Sequence, residues 1–113
     1  MKKIAPKILI IDDEQDLCLL LELYFSRRNY VVHYALTLQE GVERMQALRP
    51  DILFLDNNLP DGTGWTQVAS FLEINPRLKL YLMSGYQPAP PHIDGIQYKV
   101  LTKPISFSDL DLL

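Results

Sequence analysis

Three carboxylates, a hydroxyl and an ammonium stand at matching places along this 113-residue chain, each just beyond an apolar run. Asp12 and Asp13 follow Lys7-Ile8-Leu9-Ile10-Ile11, and Asp56 follows Asp51-Ile52-Leu53-Phe54-Leu55. Ser84 follows Leu78-Lys79-Leu80-Tyr81-Leu82-Met83, and Lys103 lies just past the weaker run from Gln97 to Leu101. If these runs are parallel strands, all five groups arrive at one crevice, because open parallel sheets bind ligands outside the carboxyl ends of their strands. Carboxylates crowded together repel and raise one another's pKa unless a cation sits among them. Magnesium suits such a set: it takes oxygen ligands in an octahedron, keeps several waters and is often completed by a phosphate. Lys103 adds a positive charge opposite, and Ser84 can hydrogen-bond a phosphoryl oxygen. Phosphoryl transfer needs mostly positioning and neutralisation of the equatorial oxygens. One carboxylate is then the nucleophile and forms an acyl phosphate.

The elements that must position these groups are legible as periodicities. The apolar runs lack polar alternation, as strands buried on both faces do. With Val31 to Ala35 they make five strands. Leu17, Leu20, Leu21, Tyr24 and Phe25 recur at helical spacing and mark one amphipathic stripe. Thr37-Leu38-Gln39-Glu40 reads as a capping box opening a second helix, with Leu38, Val42 and Met45 inward and Pro50 as its stop. Val68, Phe71 and Leu72 mark a third helix ended by Asn75-Pro76, and Ser106 with Asp109 caps a last one starting at Phe107. Strands alternating with helices imply βαβ units with right-handed crossovers, so the fold class is α/β. Between Ser84 and Gln97 the pattern breaks. Pro88, Pro90 and Pro91 between Gly85 and Gly95 remove backbone donors and predict a loop in place of a fourth helix. The chain stops at Leu113, barely two turns into its last helix, which reads as a last helix cut short in a piece of a longer protein.

Composition narrows the classes. A single domain over 1–113 fits the length. A net charge of −3 argues against a nucleic-acid surface. The one basic pair, Arg27-Arg28, falls where a helix ends and complements its dipole. No apolar run reaches the ~20 residues of a membrane span, and no signal-peptide stretch follows Met1-Lys2-Lys3. Cys18 is the only cysteine, so no disulfide framework or thiolate metal site is available. A cytoplasmic protein is expected.

The run Ile8-Leu9-Ile10-Ile11-Asp12-Asp13-Glu14, then Asp56-Asn57-Asn58-Leu59-Pro60-Asp61-Gly62-Thr63-Gly64, Met83-Ser84-Gly85 and Lys103-Pro104 resembles the receiver domain of two-component response regulators. The resemblance covers essentially the whole chain, in order. It implies a doubly wound, flavodoxin-like five-stranded parallel sheet of order 2-1-3-4-5. It implies Asp56 as phosphoacceptor and metal ligand, Asp13 as a direct magnesium ligand, Asp12 as its partner at the metal, often acting through water, and Asn58 as donor of a backbone carbonyl to the metal. Ser84 matches the hydroxyl that moves toward the phosphoryl group, Gly85 the small residue leaving it room, and Lys103 the phosphate-pairing lysine before a Pro104 that is usually cis. Gly62 and Gly64 match the glycines of the loop entering the third helix. Implied partners are a sensor histidine kinase or phosphotransfer protein and a C-terminal output domain absent from this chain, with a homodimer allowed and no membrane or direct nucleic-acid contact. The domain would catalyse only its own phosphorylation and dephosphorylation.

Two departures concern readout. The family's aromatic switch, three residues before the lysine, is Val100 here, with Tyr98 displaced by two along the same strand face. The proline-rich loop stands where the family's output face has its fourth helix. A receiver-like binding module that signals without phosphorylation is therefore the second reading. Other phosphate chemistries fail: a dehalogenase-type D-G-T at Asp61 would need its nucleophile where Leu59 stands, Gly62-Thr63-Gly64 lacks a dinucleotide loop's third glycine, and there is no Walker-type loop. His33 and His92 have no metal-ligand partner at sensible spacing, and Cys18 and Trp65 read as packing residues.

Overall fold

A computed structural model describes residues 4–85 and 95–111 of the chain. Strands β1 (Lys7–Ile11), β2 (Val31–Ala35), β3 (Ile52–Asp56), β6 (Lys79–Ser84) and β7 (Tyr98–Thr102) form one sheet in the order β2-β1-β3-β6-β7, every neighbouring pair parallel. This is the expected doubly wound order, once the small antiparallel pair β4 (Asn58–Leu59) and β5 (Gly62–Thr63) is set aside. The predicted strands are present, and three of them end one residue later than the sequence implies, so Asp56 and Ser84 are the last residues of their strands.

Helices cover both faces, which explains the continuous apolar runs. Alternate side chains go to opposite sides. Leu9, Ile11, Leu53, Leu55, Leu80 and Leu82 face α2 (Leu38–Leu48) and α3 (Val68–Ile74), where Met45, Val68 and Phe71 are buried. Ile8, Ile10, Phe54, Tyr81 and Met83 face α1 (Gln15–Ser26) and α4 (Phe107–Leu110), meeting Leu21, Phe25 and Leu110. Phe54 lies at the centre of this second layer, stacked on Tyr81 at 4.9 Å and tilted on Phe25 at 5.4 Å between ring centroids.

Local details refine the sequence reading. Leu20 does not join the buried stripe of α1: it is 43% exposed, and Cys18 is buried instead. At 3.6 residues per turn, Leu20 sits more than a third of a turn from the centre of the face defined by Cys18, Leu21 and Phe25. At the start of α2 only half of the expected capping box forms. The Thr37 hydroxyl accepts from the Glu40 N–H, while the Glu40 carboxylate pairs with Arg44 one turn on. The reciprocal box forms at Ser106 and Asp109, opening α4 where predicted. Arg49 ends α2 in the left-handed region, immediately before Pro50. Trp65 is buried in a 3-10 turn, Gly64–Gln67, ahead of α3. The expected proline-rich loop in place of a fourth helix lies at 86–94, outside the described residues.

Phe54→Ala removes the ring that both neighbours pack against and should cost about 3–5 kcal/mol of unfolding free energy, read by urea denaturation. A loss below about 1 kcal/mol would mean that this layer is not the packed core.

Candidate functional site

The strand register delivers the five predicted groups to one edge. The Asp12 N–H donates to the Ala35 carbonyl at 3.0 Å, extending the β1–β2 ladder by one residue and placing Asp12 over the sheet end. The Lys103 N–H donates to the Ser84 carbonyl at 2.8 Å, tying the residue after β7 to the end of β6. Asp56 sits between them at the end of β3, paired in register with Met83. Asp13, Asp56, Asn58, Ser84 and Lys103 line a cleft of about 240 Å³. The Lys103-Pro104 bond is cis, as the family resemblance implies.

Lys103 is the electrostatic centre. Its Nζ lies 2.8 Å from Asp12 Oδ2, 3.0 Å from Glu14 Oε1 and 3.4 Å from Asp56 Oδ1. Burial alone would lower its pKa, but hydrogen bonds to Asp12 and Glu14 and the nearby carboxylate charges outweigh that and hold the ammonium above its ordinary range. One lysine does not neutralise the carboxylates around it. Asp12 is fully buried, and desolvation raises its pKa despite the Lys103 bond and the Glu14 N–H donated to Oδ1 at 2.8 Å. Asp56, 3% exposed, is pushed up to about 6 by burial and by the Asp12 charge, against the pull of Lys103.

This surplus of negative charge fits a divalent cation. Carboxylate oxygens of Asp12, Asp13 and Asp56 lie within 4.8 Å of one another, an all-oxygen set suited to a hard ion. Asp12 has both oxygens engaged, one by the Glu14 amide and one by Lys103. Asp13 is exposed and has its carboxylate at the cleft. Asp13 and Asp56 line the cleft directly, and Asp12, buried behind them within the same carboxylate cluster, also pairs with Lys103.

The loop after Asp56 is clamped by its own backbone. Gly64 donates its N–H to the Asn57 carbonyl at 3.0 Å, and a Cβ on Gly64 would fall 2.1 Å from the Asp56 carbonyl oxygen. That approach admits no side chain without moving the acceptor strand. The Asn57 side chain accepts from the Trp65 N–H at 3.2 Å, and the Trp65 indole donates to the Leu55 carbonyl at 3.1 Å. At Gly85 an added Cβ would meet nothing within 4 Å among the described residues.

All of the sequence-predicted residues, Asp12, Asp13, Asp56, Asn58, Ser84 and Lys103, meet at this edge. Two participants were not singled out by sequence: Glu14, as a second acidic partner of Lys103, and Asn57, as the clamp on Trp65. The only signal for Glu14 was its place after two aspartates at the mouth of α1. Cys18, buried beneath the site, donates its thiol to the Asp12 carbonyl at 3.4 Å, and burial pushes it up to about 12, which fits a packing role.

A family model described as "Response regulator receiver domain" matches residues 8–112. The regulatory protein VanR of Enterococcus faecium is 30% identical over 112 residues, covering 96% of this chain and 47% of that protein. The chemotaxis protein CheY of Thermotoga maritima is 28% identical over 94 residues, covering 82% of this chain and 78% of CheY. Among solved structures, a response regulator protein from Burkholderia pseudomallei, with a phosphorylated aspartic acid, calcium ion and citrate, superimposes with a TM-score of 0.81 at 21% identity, over 93% of this chain and 64% of that one. The chain therefore spans about half the length of VanR, and that likeness concerns one part of the larger protein.

Because Asp56 binds its proton more tightly folded than unfolded, it destabilises the folded state above about pH 6 and ceases to do so as pH falls below its ordinary value of 3.8. In metal-free buffer, Asp56→Asn should raise stability at neutral pH by on the order of 1–3 kcal/mol, with the gain shrinking toward pH 4. Thermal melts of both proteins across that range check the sign; a mutant less stable at neutral pH would contradict it.

Proposed function

Because the chain belongs to the response regulator receiver family, we propose that it accepts a phosphoryl group on Asp56 in a magnesium-dependent reaction and passes the change to a protein-facing surface. We further propose that one receiver domain occupies 1–113 and that it works in the cytoplasm; among the described residues no helix is long and apolar enough to cross a membrane. The donor in this reading is the phosphohistidine of a sensor histidine kinase or phosphotransfer protein. The observation that carries it is the buried Asp56 facing an open cleft with Lys103 3.4 Å from its Oδ1 and a second carboxylate group, Asp13, at cation-holding distance.

An Asp56 carboxylate oxygen forms the new bond to phosphorus as the phosphorus–nitrogen bond to the donor imidazole breaks. The leaving nitrogen keeps that electron pair. Lys103 Nζ is positioned to neutralise charge on the transferred oxygens, and the Ser84 hydroxyl to donate to one of them. Asp13, Asp56 and the Asn58 carbonyl would hold magnesium, which when bound supplies charge neutralisation at the acceptor and the phosphoryl group. Asp12 keeps Lys103 aimed. The chain's chemistry in this reading is limited to its own phosphorylation and dephosphorylation. The phosphorylated aspartic acid of the Burkholderia response regulator supports an aspartate as the acceptor.

One observation favours the second reading, a binding module that works without phosphorylation. Val100, at the position of the family's aromatic switch, is 38% exposed on the edge strand β7, so readout needs a route other than a ring turning inward.

Incubation with acetyl phosphate should add one phosphoryl group by intact-mass spectrometry, only with magnesium present, and Asp56→Ala should abolish the gain. No gain in folded wild type, beside a phosphorylatable control, would leave the binding module as the better account.

A further inference from the structure

We propose that Asp61 is a positioning residue for the cation site, holding the loop that carries Asn58 by capping a helix more than twenty residues away in the chain. The inference rests on the phosphoacceptor reading above and adds a residue to it. Asp61 lies in the turn of the small β4–β5 hairpin, whose first arm begins at Asn58. Its two carboxylate oxygens accept the N–H groups of Leu38, at 2.7 Å, and Gln39, at 2.9 Å. These are the first two amides of α2, while the Thr37 hydroxyl takes the Glu40 amide by itself. α2 therefore has a local cap from the Thr37 hydroxyl and a second one reaching it from the acceptor loop.

That second cap matters more to the loop than to the helix. Asn58 is exposed, in an arm of two residues, and pairs with Thr63 across the hairpin. Leu59 anchors the base of this arm in the core, and the Gly64 amide fixes Asn57. At the far end Asp61 makes the attachment to α2, a helix that packs on β1 and β2 beneath the Asp12-Asp13 edge. The two backbone bonds hold the Asp61 carboxyl below its usual range, as expected for a carboxylate fixed by N–H donors. Metal sites depend on the partners that orient their ligands, and a ligand that is a backbone carbonyl can be oriented only through its loop.

Magnesium titrations of the ¹⁵N-labelled chain, followed at the amides of Asp13, Asn57 and Asn58, test this. Asp61→Ala should weaken magnesium binding roughly tenfold, the low end of what loss of an orienting partner costs a metal site. Phosphoryl uptake from acetyl phosphate should slow at low magnesium and recover at saturating magnesium. Asp61→Asn, which keeps one of the two acceptor oxygens and loses the whole charge, should fall between wild type and Asp61→Ala. Thr37→Ala, which removes the local cap alone, should lower the melting temperature and leave magnesium affinity unchanged. Wild-type affinity in Asp61→Ala, an equal loss in Thr37→Ala, or an equal loss in Asp61→Asn would each overturn the proposal, the last by showing that charge and not loop position is at work. If wild type binds magnesium and Asp13→Asn does not, the reading of the cleft stands whatever Asp61 does. A wild-type chain that binds no magnesium overturns both.

Discussion

The whole active edge depends on one ammonium held among three carboxylates. Lys103 touches Asp12, Glu14 and Asp56, which come from the ends of two different strands and the mouth of a helix. Breaking a buried pair by removing one partner leaves an uncompensated charge, which is far more costly than the pair's own net contribution. The lysine thus restrains the site's geometry while failing to balance its charge. The pKa values of Asp12 and Asp56 are raised first by burial; the Glu14 charge adds to this at Asp12 and the Asp12 charge at Asp56, and Lys103 only partly offsets it. A divalent cation and an incoming phosphoryl group are complementary halves of the missing balance, one meeting the carboxylates and the other the lysine.

The core exists to hold that edge still. Each strand contributes alternate side chains to two apolar layers, and a slip of one residue would send every side chain into the other layer and break the close packing of both. Asp56 therefore cannot move along β3 relative to Ser84 on β6 or the residues after β1. Gly64 adds a second restraint, since its approach to the Asp56 carbonyl leaves no room for even a methyl group. Away from this edge, α4 is fastened to α1 through Tyr24. Phe107 stacks on that ring at 5.1 Å, Arg28 lies 3.6 Å from its centroid, and its hydroxyl donates to Asp111.

Much of this is legible in the sequence because apolar runs and strand-end polar residues are local signals. The α/β class and the meeting of Asp12, Asp13, Asp56, Ser84 and Lys103 follow from them, while the sheet order comes from the family resemblance alone. Leu20 was misplaced because a leucine-rich helix offers more apolar positions than its buried face can take. The capping box at Thr37 formed by half because Arg44 competes for Glu40. Asp61 and Glu14 were not legible as partners. Their bonds reach across 23 residues to Leu38 and 89 residues to Lys103, and no local pattern records a contact at that range. Val100 carries the opposite lesson: its departure from the family pattern is plain in sequence, and its exposure at the sheet edge agrees with it.

The central claim is that carboxylate charge at this edge exceeds what Lys103 can neutralise and that a cation makes up the difference. Carbon-detected NMR titration of the Asp56 carboxyl, without and with magnesium, addresses it most directly. The account predicts a midpoint near pH 6 in the metal-free protein and a marked fall when magnesium is added. An ordinary midpoint near 4 that magnesium does not move would contradict it.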